Sequence, residues 1–298
     1  MKKHFSLISW NIQWGRGCDG RVDLRRIVEH ARSLADFDVL CLQEVASNYP
    51  QLPGSRGENQ SALLARLLPG YAAIYCAAID VRAGDGSRRL FGNMVLSRLP
   101  VTRAFRHLLP WPAEARRKSM QRALAEAVIE APFGALRVMT THLEYYSPRQ
   151  RRAQIERIRE LHAAAALRAR LAIRDASRGP FRTLAGATSA ILAGDFNFRP
   201  RDPLHALLTK SFPRPVPAFH DAWQVAHPGA PHPPSLGVFD RQQWPQPYCC
   251  DFVYITEDLR RRVLDVRVDQ RCDASDHQPL LLVLDAGRAA GRRRVSRD

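Results

Sequence analysis

The chain has 298 residues, of which 45% are hydrophobic and 25% are charged, and these fractions exclude a disordered, collagenous or fibrous protein. Lysines and arginines number 45 against 29 aspartates and glutamates, which gives a formal net charge of +16. A surplus of this size favours a phosphate-bearing partner, although an arginine-rich composition explains it equally well.

The first hundred residues alternate between strand-like and helix-like stretches. The predicted elements are, in chain order, a strand at residues 5–12, a helix from residue 23, a strand at 39–45, a helix at 61–68 and a strand at 93–97. The first helix is amphipathic, because Leu24, Ile27 and Val28 recur at helical spacing after Asp23. This alternation is typical of α/β proteins.

The rest of the chain adds further strands and one long helix. The predicted strands lie at residues 122–130, 136–143, 190–194, 251–255, 263–268 and 280–284, and an arginine-studded helix runs from residue 148 to about 176. The sequence APFG joins the first two strands and predicts an antiparallel hairpin. Proline- and glycine-rich loops are expected at 199–203, 213–217 and 228–237. The mixture of βα units with hairpins predicts layered α/β packing with more than one sheet.

The sequence also lacks the signs of membrane insertion or export. No apolar run approaches the roughly 18 residues of a membrane-spanning helix. The N-terminal stretch turns polar at Ser9 and Asn11, too early for a secretion signal. The six cysteines form no CxxC pair, and Cys41 lies in an apolar run typical of a protein core. We therefore expect a reduced, cytoplasmic protein without a transmembrane segment, and its oligomeric state stays open.

Five segments place polar groups at the ends of apolar strands. These groups are Asn11, Glu44, His142, the pair Asp195 and Asn197, and the pair Asp276 and His277. Strand ends collect catalytic groups, because the sheet fixes their positions and the loops leave access. Oxygen ligands without a cysteine–histidine cluster suit Mg²⁺ or Mn²⁺ rather than zinc. A hard cation beside histidines and a carboxylate is what phosphoester hydrolysis needs.

Several spacings predict the path of the chain near these groups. Asp195 and Asn197 lie two apart, so in an extended chain their side chains point the same way. Gly194 lets the backbone bend and a ligand come close. Asp276 and His277 are adjacent, so they should face different sides of one bound group.

Each segment has a simpler explanation when it is considered alone. A single aspartate at a strand end is usually a cap or turn residue. A lone histidine in an apolar strand, such as His142, is more often a core residue. Residues 15–20 also satisfy the GxGxxG pattern between a strand and a helix, the outline of a dinucleotide-binding unit. However, a polar stretch separates the strand from the first glycine, and that interpretation leaves GDFN and SDH unexplained. A flexible loop explains the glycines better.

Taken together and in this order, the segments are specific. They read SWNIQ, LQEV, GNMVLSR, THLE, GDFN and SDHQP, and the match to which they belong spans residues 5–284. The sequence resembles the endonuclease/exonuclease/phosphatase family, which includes DNase I-like nucleases, abasic-site endonucleases, inositol-phosphate phosphatases and bacterial sphingomyelinases. The resemblance implies a four-layer α/β sandwich, with two mixed β-sheets face to face and helices outside. It also implies one domain over residues 1–286, followed at 287–298 by a basic tail that we expect to be disordered.

The resemblance implies a metal site and its ligands. Glu44 would be the principal ligand of Mg²⁺ or Mn²⁺, with Asn11 and Asp276 close to the same cation. Asn93, in the GNMVLSR segment, would support the phosphate or the side of the site near His142.

The resemblance also implies catalytic roles. Asp195 would orient or deprotonate the attacking water, and Asn197 would hold the phosphate. His277 would act as a general base or phosphate contact, steered by Asp251. His142 would contact the phosphate and stabilise the pentacovalent transition state. The family pattern leaves open whether Asp195 or His277 activates the water. The expected activity is a metal-dependent phosphodiesterase or nuclease-like hydrolase.

Two departures from the family pattern bear on these roles. Cys249 and Cys250 precede Asp251 where many relatives have an Arg-Ile-Asp-Tyr segment, so the Asp251 match is the weakest. Gln13 stands where abasic-site endonucleases tend to carry an acidic residue, which argues against close identity with that subgroup.

The nature of the substrate stays open. DNA or RNA fits the basic charge, and so do inositol phosphates and lipid phosphoesters, as in a phosphatase or a sphingomyelinase-like hydrolase. A non-catalytic basic nucleic-acid-binding protein is the alternative of another class, and the full set of site residues argues against it.

Overall fold

The computed structural model describes residues 2–171 and 186–287, and these residues contain twelve strands and five α-helices. The strands are β1 (His4–Asn11), β2 (Val39–Ser47), β3 (Ala72–Arg82), β4 (Arg88–Ser97), β5 (Val101–Leu108), β6 (Ala123–Ala131), β7 (Gly134–His142), β8 (Ala190–Asp195), β9 (Phe219–Asp221), β10 (Asp251–Thr256), β11 (Val263–Val268) and β12 (Leu280–Asp285). The helices are α1 (Leu24–Leu34), α2 (Gln60–Leu67), α3 (Pro148–Arg168), α4 (Pro203–Thr209) and α5 (Ala222–Ala226).

The strands form two six-stranded mixed sheets. The first sheet has the order β11–β12–β1–β2–β4–β3, and the second has the order β5–β6–β7–β8–β10–β9. In the first sheet β1 and β2 are parallel, and in the second β7 and β8 are parallel, while the other neighbours are antiparallel. Each parallel pair is joined through a helix, as parallel strands require.

Small and aliphatic side chains fill the space between the two sheets. Ala125, Ala127 and Ala193 of the second sheet are buried in one cluster with Leu7 and Val39 of the first. Alanine has little bulk, so the two sheets lie close together. Helices α1 and α2 cover the outer face of the first sheet, and α3 and α4 cover that of the second. The result is the expected four-layer α/β sandwich.

The described elements confirm most of the predicted ones. Helix α1 buries Leu24, Ile27 and Val28, as its spacing predicts, and Asp23 caps it by accepting hydrogen bonds from two backbone amides. The prediction of a helix to about residue 176 was wrong at its end, because α3 ends at Arg168. Residues 172–176, and the tail at 288–298, lie outside the described residues.

Two long strands were missed by the sequence interpretation. Strands β3 and β5 each form one edge of their sheet, and the side chains of β5 alternate strictly between half-buried and exposed. An edge strand buries only part of one face, so its sequence carries a weak apolar signal. Within the described residues, no helix has both the length and the apolarity to cross a membrane.

Candidate active site

The ends of four strands meet at one edge of the two facing sheets. Asn11 ends β1, while His142 and Asp195 end β7 and β8 and are direct neighbours in the parallel register. Asp251 begins β10 and lies opposite Asp195 in the antiparallel register. Strand pairing alone therefore brings His142, Asp195 and Asp251 together, and the facing sheet adds Asn11.

The carboxylate of Asp195 lies at the centre of this group. Its Oδ2 accepts a hydrogen bond from Asn11 Nδ2 at 3.1 Å. The same oxygen lies 3.4 Å from His142 Nε2 and 3.7 Å from His277 Nε2. The other oxygen, Oδ1, accepts a hydrogen bond from the backbone amide of Asn197 at 2.9 Å. Asp195 thus joins groups from both sheets and is almost fully buried.

Glu44 reaches the site through an irregularity in β2. The register between β2 and β4 shifts between Leu42 and Val45, and Glu44 has a positive φ of 60°. Such bulges re-aim a side chain and are frequent beside active sites. The carboxylate lies 3.2 Å from Asn11 Nδ2 and 3.7 Å from His142 Nδ1, and its side chain keeps 17% exposure. Glu44 therefore lies at the open side of the cluster.

Asp276 is held by two residues to which the sequence interpretation gave no role. Gln13 Nε2 donates to Asp276 Oδ2 at 2.9 Å, and Trp244 Nε1 donates to the same oxygen at 3.0 Å. Gln13 lies in a short 3-10 segment with a positive φ of 44°, which turns the chain after β1. In the sequence, Gln13 stood out only because abasic-site endonucleases tend to carry an acidic residue at its position. Trp244 lies in a long loop, and no sequence pattern marked it.

His277 is oriented by Asp251. His277 Nδ1 lies 2.8 Å from Asp251 Oδ2, and both side chains are buried. Ser235 Oγ donates to the same carboxylate oxygen at 2.7 Å and accepts from the backbone amides of Cys250 and Asp251. Ser235 is a further residue that the sequence did not indicate. Trp10 Nε1 also donates to the carbonyl of His277, so the residue is fixed at both ends.

The charges of these groups influence one another strongly. Burial and the nearby Asp276 raise the pKa of Glu44 to about 7. Burial and Asp251 raise the pKa of Asp195 to about 6. Both shifts have the physical cause expected of carboxylates gathered in a small volume of low polarity.

The two histidines differ in their electrostatic surroundings. Burial and the nearby Arg122 hold the pKa of His142 well below its ordinary value. Burial acts in the same direction on His277, but Asp251 and Asp276 outweigh it and hold the pKa of His277 well above its ordinary value. The pKa values of the two imidazoles beside Asp195 are therefore shifted in opposite directions.

Asn93 and Asn197 lie beside this cluster. Asn93 is buried on β4, and its Nδ2 donates to the carbonyl of Ala123 at 2.8 Å, which joins the two sheets just below the site. Asn197 Nδ2 donates to the carbonyl of Leu143 at 2.9 Å. The extended chain expected at residues 195–197 was wrong, because Asn197 has a positive φ of 51° and its amide turns back onto Asp195.

Gly194 serves the strand pairing. Its φ is 144°, and an added Cβ would lie 2.0 Å from the carbonyl oxygen of Thr141 on β7. From the sequence, Gly194 was expected to let a ligand come close to the backbone. In the structure, the neighbouring strand β7 makes this close approach instead. Glycine is needed here because no side chain fits between β7 and β8.

The GxGxxG loop does not have the features of a dinucleotide site. The Asp23 side chain accepts hydrogen bonds from the amides of Arg25 and Arg26 at the start of α1. These amides would bind the pyrophosphate in a dinucleotide-binding unit. A negative carboxylate already occupies that position, so the loop is better explained as a connection that places Gln13 beside Asp276.

One set of potential metal ligands converges within the described residues. The side chains of Asp195, Cys250, Asp251 and His277 each offer an atom within 4.8 Å of the others. Burial and Asp251 hold the pKa of the Cys250 thiol well above its ordinary value, so it stays protonated and is a poor ligand. His277 Nδ1 already contacts Asp251. Glu44, Asn11 and Asp276 offer carboxylate and amide oxygens, which are the ligands that a hard cation prefers.

The comparisons with known proteins agree with this geometry. A family model described as Endonuclease/Exonuclease/phosphatase family matches residues 8–277. None of the curated proteins compared with the sequence matches it.

Solved structures share the fold at low sequence identity. An endonuclease/exonuclease/phosphatase from Beutenbergia cavernae is 23% identical, with a TM-score of 0.66 over 95% of this chain and 72% of that one. One from Bacteroides vulgatus is 17% identical, with a TM-score of 0.63 over 95% and 99%. A mannosyl-6-phosphatase from Bacteroides thetaiotaomicron is 15% identical, with a TM-score of 0.59 over 93% and 98%. Since the family model covers nearly all of the sequence, the chain belongs to the endonuclease/exonuclease/phosphatase family, which includes metal-dependent phosphoesterases.

Proposed function

We propose that this protein is a divalent-metal-dependent phosphoester hydrolase, of the phosphodiesterase or nuclease-like kind, within residues 1–286. The observation that supports it most strongly is the position of Asp195 Oδ2, which lies within 3.1–3.7 Å of Asn11, His142 and His277. A carboxylate between two imidazoles and an amide can orient a water molecule and contact a phosphate at the same place.

The cation would be Mg²⁺ or Mn²⁺, held by Glu44, Asn11 and Asp276. Their donor atoms are carboxylate and amide oxygens, which these ions prefer. In the described part of the chain, the hydrogen-bond donors to Glu44 and Asp276 are amide, indole and hydroxyl groups, so no lysine or arginine bonded to them balances their charge. A bound cation would neutralise the charge of the phosphate.

The protein's own residues supply the remaining chemistry. Asp195 would orient or deprotonate the attacking water. Asp251 fixes the ring of His277, whose Nε2 faces Asp195 and either takes the proton or contacts the phosphate. His142, on the other side of Asp195, would stabilise the charge of the transition state, and Asn197 would hold the phosphate.

The substrate we favour is a nucleic acid, because the chain carries a net charge of +16. A phosphatase or sphingomyelinase-like hydrolase that acts on a small or lipid phosphoester is the second candidate. The shared fold with a mannosyl-6-phosphatase supports this alternative. All six cysteines are free thiols, which supports the prediction that the protein works in a reducing, cytoplasmic compartment.

The decisive experiment is an activity panel with Mg²⁺ and Mn²⁺ on plasmid, abasic duplex, single strands, sphingomyelin and inositol phosphates. EDTA should abolish every activity found, and Glu44→Gln should lower kcat/KM about 10²-fold or more, because the cation stabilises charge in the transition state. Titration calorimetry should show weaker Mn²⁺ binding to this variant.

The matched control is Glu29→Gln, which removes an exposed glutamate of α1. It should keep both the activity and the metal affinity of the wild type. Full activity in EDTA, or a Glu44→Gln variant equal to the control, would contradict the metal-dependent mechanism. Binding of nucleic acid without hydrolysis of any substrate would favour a non-catalytic binding protein.

A further inference from the structure

A groove lined by aromatic and basic residues opens beside Asn197. Tyr145 and Tyr146, from the loop between β7 and α3, line it together with Trp244 and Tyr248, from the loop before β10. Its volume is about 720 Å³. One end is continuous with the site, because Asn197 lines the groove and Trp244 also donates to Asp276. A substrate bound at the site would therefore extend into this groove.

The rings in the groove are unusually accessible for aromatic side chains. Tyr145 and Tyr146 keep 40% and 43% of their surface exposed, and their rings lie edge to face at 4.9 Å. The ring of Trp244 lies 6.0 Å from that of Tyr145 on the other side. Exposed aromatic rings beside a site are typical of binding surfaces.

A buried network holds the two tyrosines in this position. The Arg151 guanidinium donates to the carbonyls of Glu144 and Tyr145 at 2.6 and 2.9 Å, and Glu144 accepts from the amide of Tyr146 at 2.8 Å. Arg151 and Glu144 are both buried, and Arg151 itself lines the groove with its Nε unpaired. The rings are thus fixed before a ligand arrives, which lowers the entropic cost of binding.

The charges of the groove favour an anionic ligand. The Arg199 guanidinium lies 4.7 Å from the centre of the Tyr248 ring, and Lys118 Nζ lies 5.4 Å from that of Tyr146. The one acidic residue of the groove lining, Asp202, caps α4 and lies close enough to Arg151 to interact with its charge. These cations would repel a quaternary ammonium, so the aromatic rings do not suit a choline head group.

We infer that the groove binds an unpaired base of a single-stranded nucleic acid whose phosphate lies at Asn197. This inference rests on the proposed function and specifies its substrate class. Arginine and lysine attract the phosphate backbone, while exposed rings stack on any base. A base in a duplex already stacks on its neighbours, so only an unpaired base gains from these rings.

The test measures binding in EDTA, so that no strand is cleaved. A labelled oligothymidine should bind Tyr145→Ala about tenfold or more weakly than the wild type, because one stacking surface is lost. Tyr145→Phe keeps the ring and should bind as the wild type does. Leu264→Ala, which changes an exposed apolar residue of β11, should also have no effect.

A second measurement isolates the stacking contact. A strand made abasic throughout should bind the wild type and Tyr145→Ala with equal affinity. For a duplex of the same sequence, the affinities of the two proteins should differ less than twofold. A strand with 2-aminopurine should lose fluorescence on binding the wild type and keep it on binding Tyr145→Ala. These results would support a stacking site.

Failure of this inference can be told apart from failure of the proposed function. If the wild type hydrolyses a phosphoester with Mg²⁺ but Tyr145→Ala binds the oligothymidine as the wild type does, the stacking site is wrong and the hydrolase remains. An equal loss for the base-bearing and abasic strands would also overturn the inference. Since binding is measured in EDTA, an inactive wild type would refute the hydrolase without affecting this result.

Discussion

The carboxylate of Asp251 has two buried contacts that determine how His277 can act. Its Oδ2 accepts from Ser235 Oγ at 2.7 Å and lies 2.8 Å from His277 Nδ1. An acceptor at this position keeps the proton on Nδ1, which leaves Nε2 as the ring nitrogen that faces Asp195. The pair therefore has the arrangement in which a carboxylate fixes the tautomer of a catalytic histidine.

At this residue scale we expect strong coupling between Asp251 and His277. His277→Ala should lower kcat about 10²–10⁴-fold, as the loss of a general acid–base group does, with little change in KM. Asp251→Asn should lose a large part of the same factor. Because the two residues act as one unit, the double variant should be little worse than His277→Ala.

The measurement is steady-state kinetics of the four proteins on the substrate found in the activity panel. The exposed Asp273→Asn, in the same loop as His277, is the matched control and should retain wild-type kcat. Losses that simply multiply would show that Asp251 does not serve His277. Single variants with near wild-type kcat would give the pair a structural role.

At the scale of elements, strand β8 has to carry Asp195 to the site while lying close against β7. Gly194 makes this possible, since it precedes Asp195 in a conformation with φ of 144°. The carbonyl of Thr141 occupies the space that a side chain would need. The end of β8 and the position of Asp195 therefore depend on a residue without a Cβ.

Gly194→Ala should lower the free energy of unfolding by about 3–5 kcal/mol, because both backbone strain and a clash with Thr141 are imposed. Gly84→Ala is the control: Gly84 is exposed, and an added Cβ would meet no atom within 4 Å. That variant should change the free energy of unfolding by less than about 0.5 kcal/mol. Urea denaturation measures both, and equal stabilities would disprove the close-approach argument.

At the scale of the whole molecule, a buried polar network joins α3 to the second sheet. Arg137 Nη1 donates to His162 Nδ1 at 3.2 Å, and His162 Nε2 donates to the carbonyl of Pro217 at 2.9 Å. Arg137 Nε donates to Glu126 at 2.7 Å. Burial, together with Arg137, lowers the pKa of His162 to about 4, while Glu126 acts in the opposite direction. His162 is therefore neutral in the folded protein at neutral pH.

This network should make stability depend on pH. The pKa of His162 is lower in the folded than in the unfolded state, so unfolding takes up a proton between pH 6.5 and 4. The contribution of His162 is complete above pH 6.5 and falls by about 3 kcal/mol on acidification to pH 4. His162→Gln should be less stable at pH 7 but should lose less stability on acidification.

Urea denaturation at pH 7, 5.5 and 4 measures this difference, and His4→Gln at an exposed position is the control. The wild type and His4→Gln should show the same dependence on pH. A His162→Gln variant with the wild-type dependence would mean that the pKa of His162 does not differ between the folded and unfolded states, which would contradict this prediction.

The sequence by itself identified the family pattern and the groups that meet at the site. Asn11, Glu44, His142, Asp195 and His277 were found because each lies next to an apolar strand, and strand ends are predictable from alternation and apolar runs. Their proximity follows from the parallel pairs β1–β2 and β7–β8, whose ends share an edge. Edge strands β3 and β5 were missed because they bury too little apolar surface to leave a clear pattern.

Only the tertiary structure decided which residues support those groups. Gln13 and Trp244 bond to Asp276, and Ser235 bonds to Asp251, although 32 and 16 residues separate Trp244 and Ser235 from their partners. The aromatic groove likewise joins two distant loops. Contacts of this kind arise where irregular loops fold over a sheet edge, and loops lack the repeating side-chain period on which sequence interpretation depends. The strands of the two sheets leave a repeating side-chain pattern in the sequence, whereas the contacts made by the loops leave none.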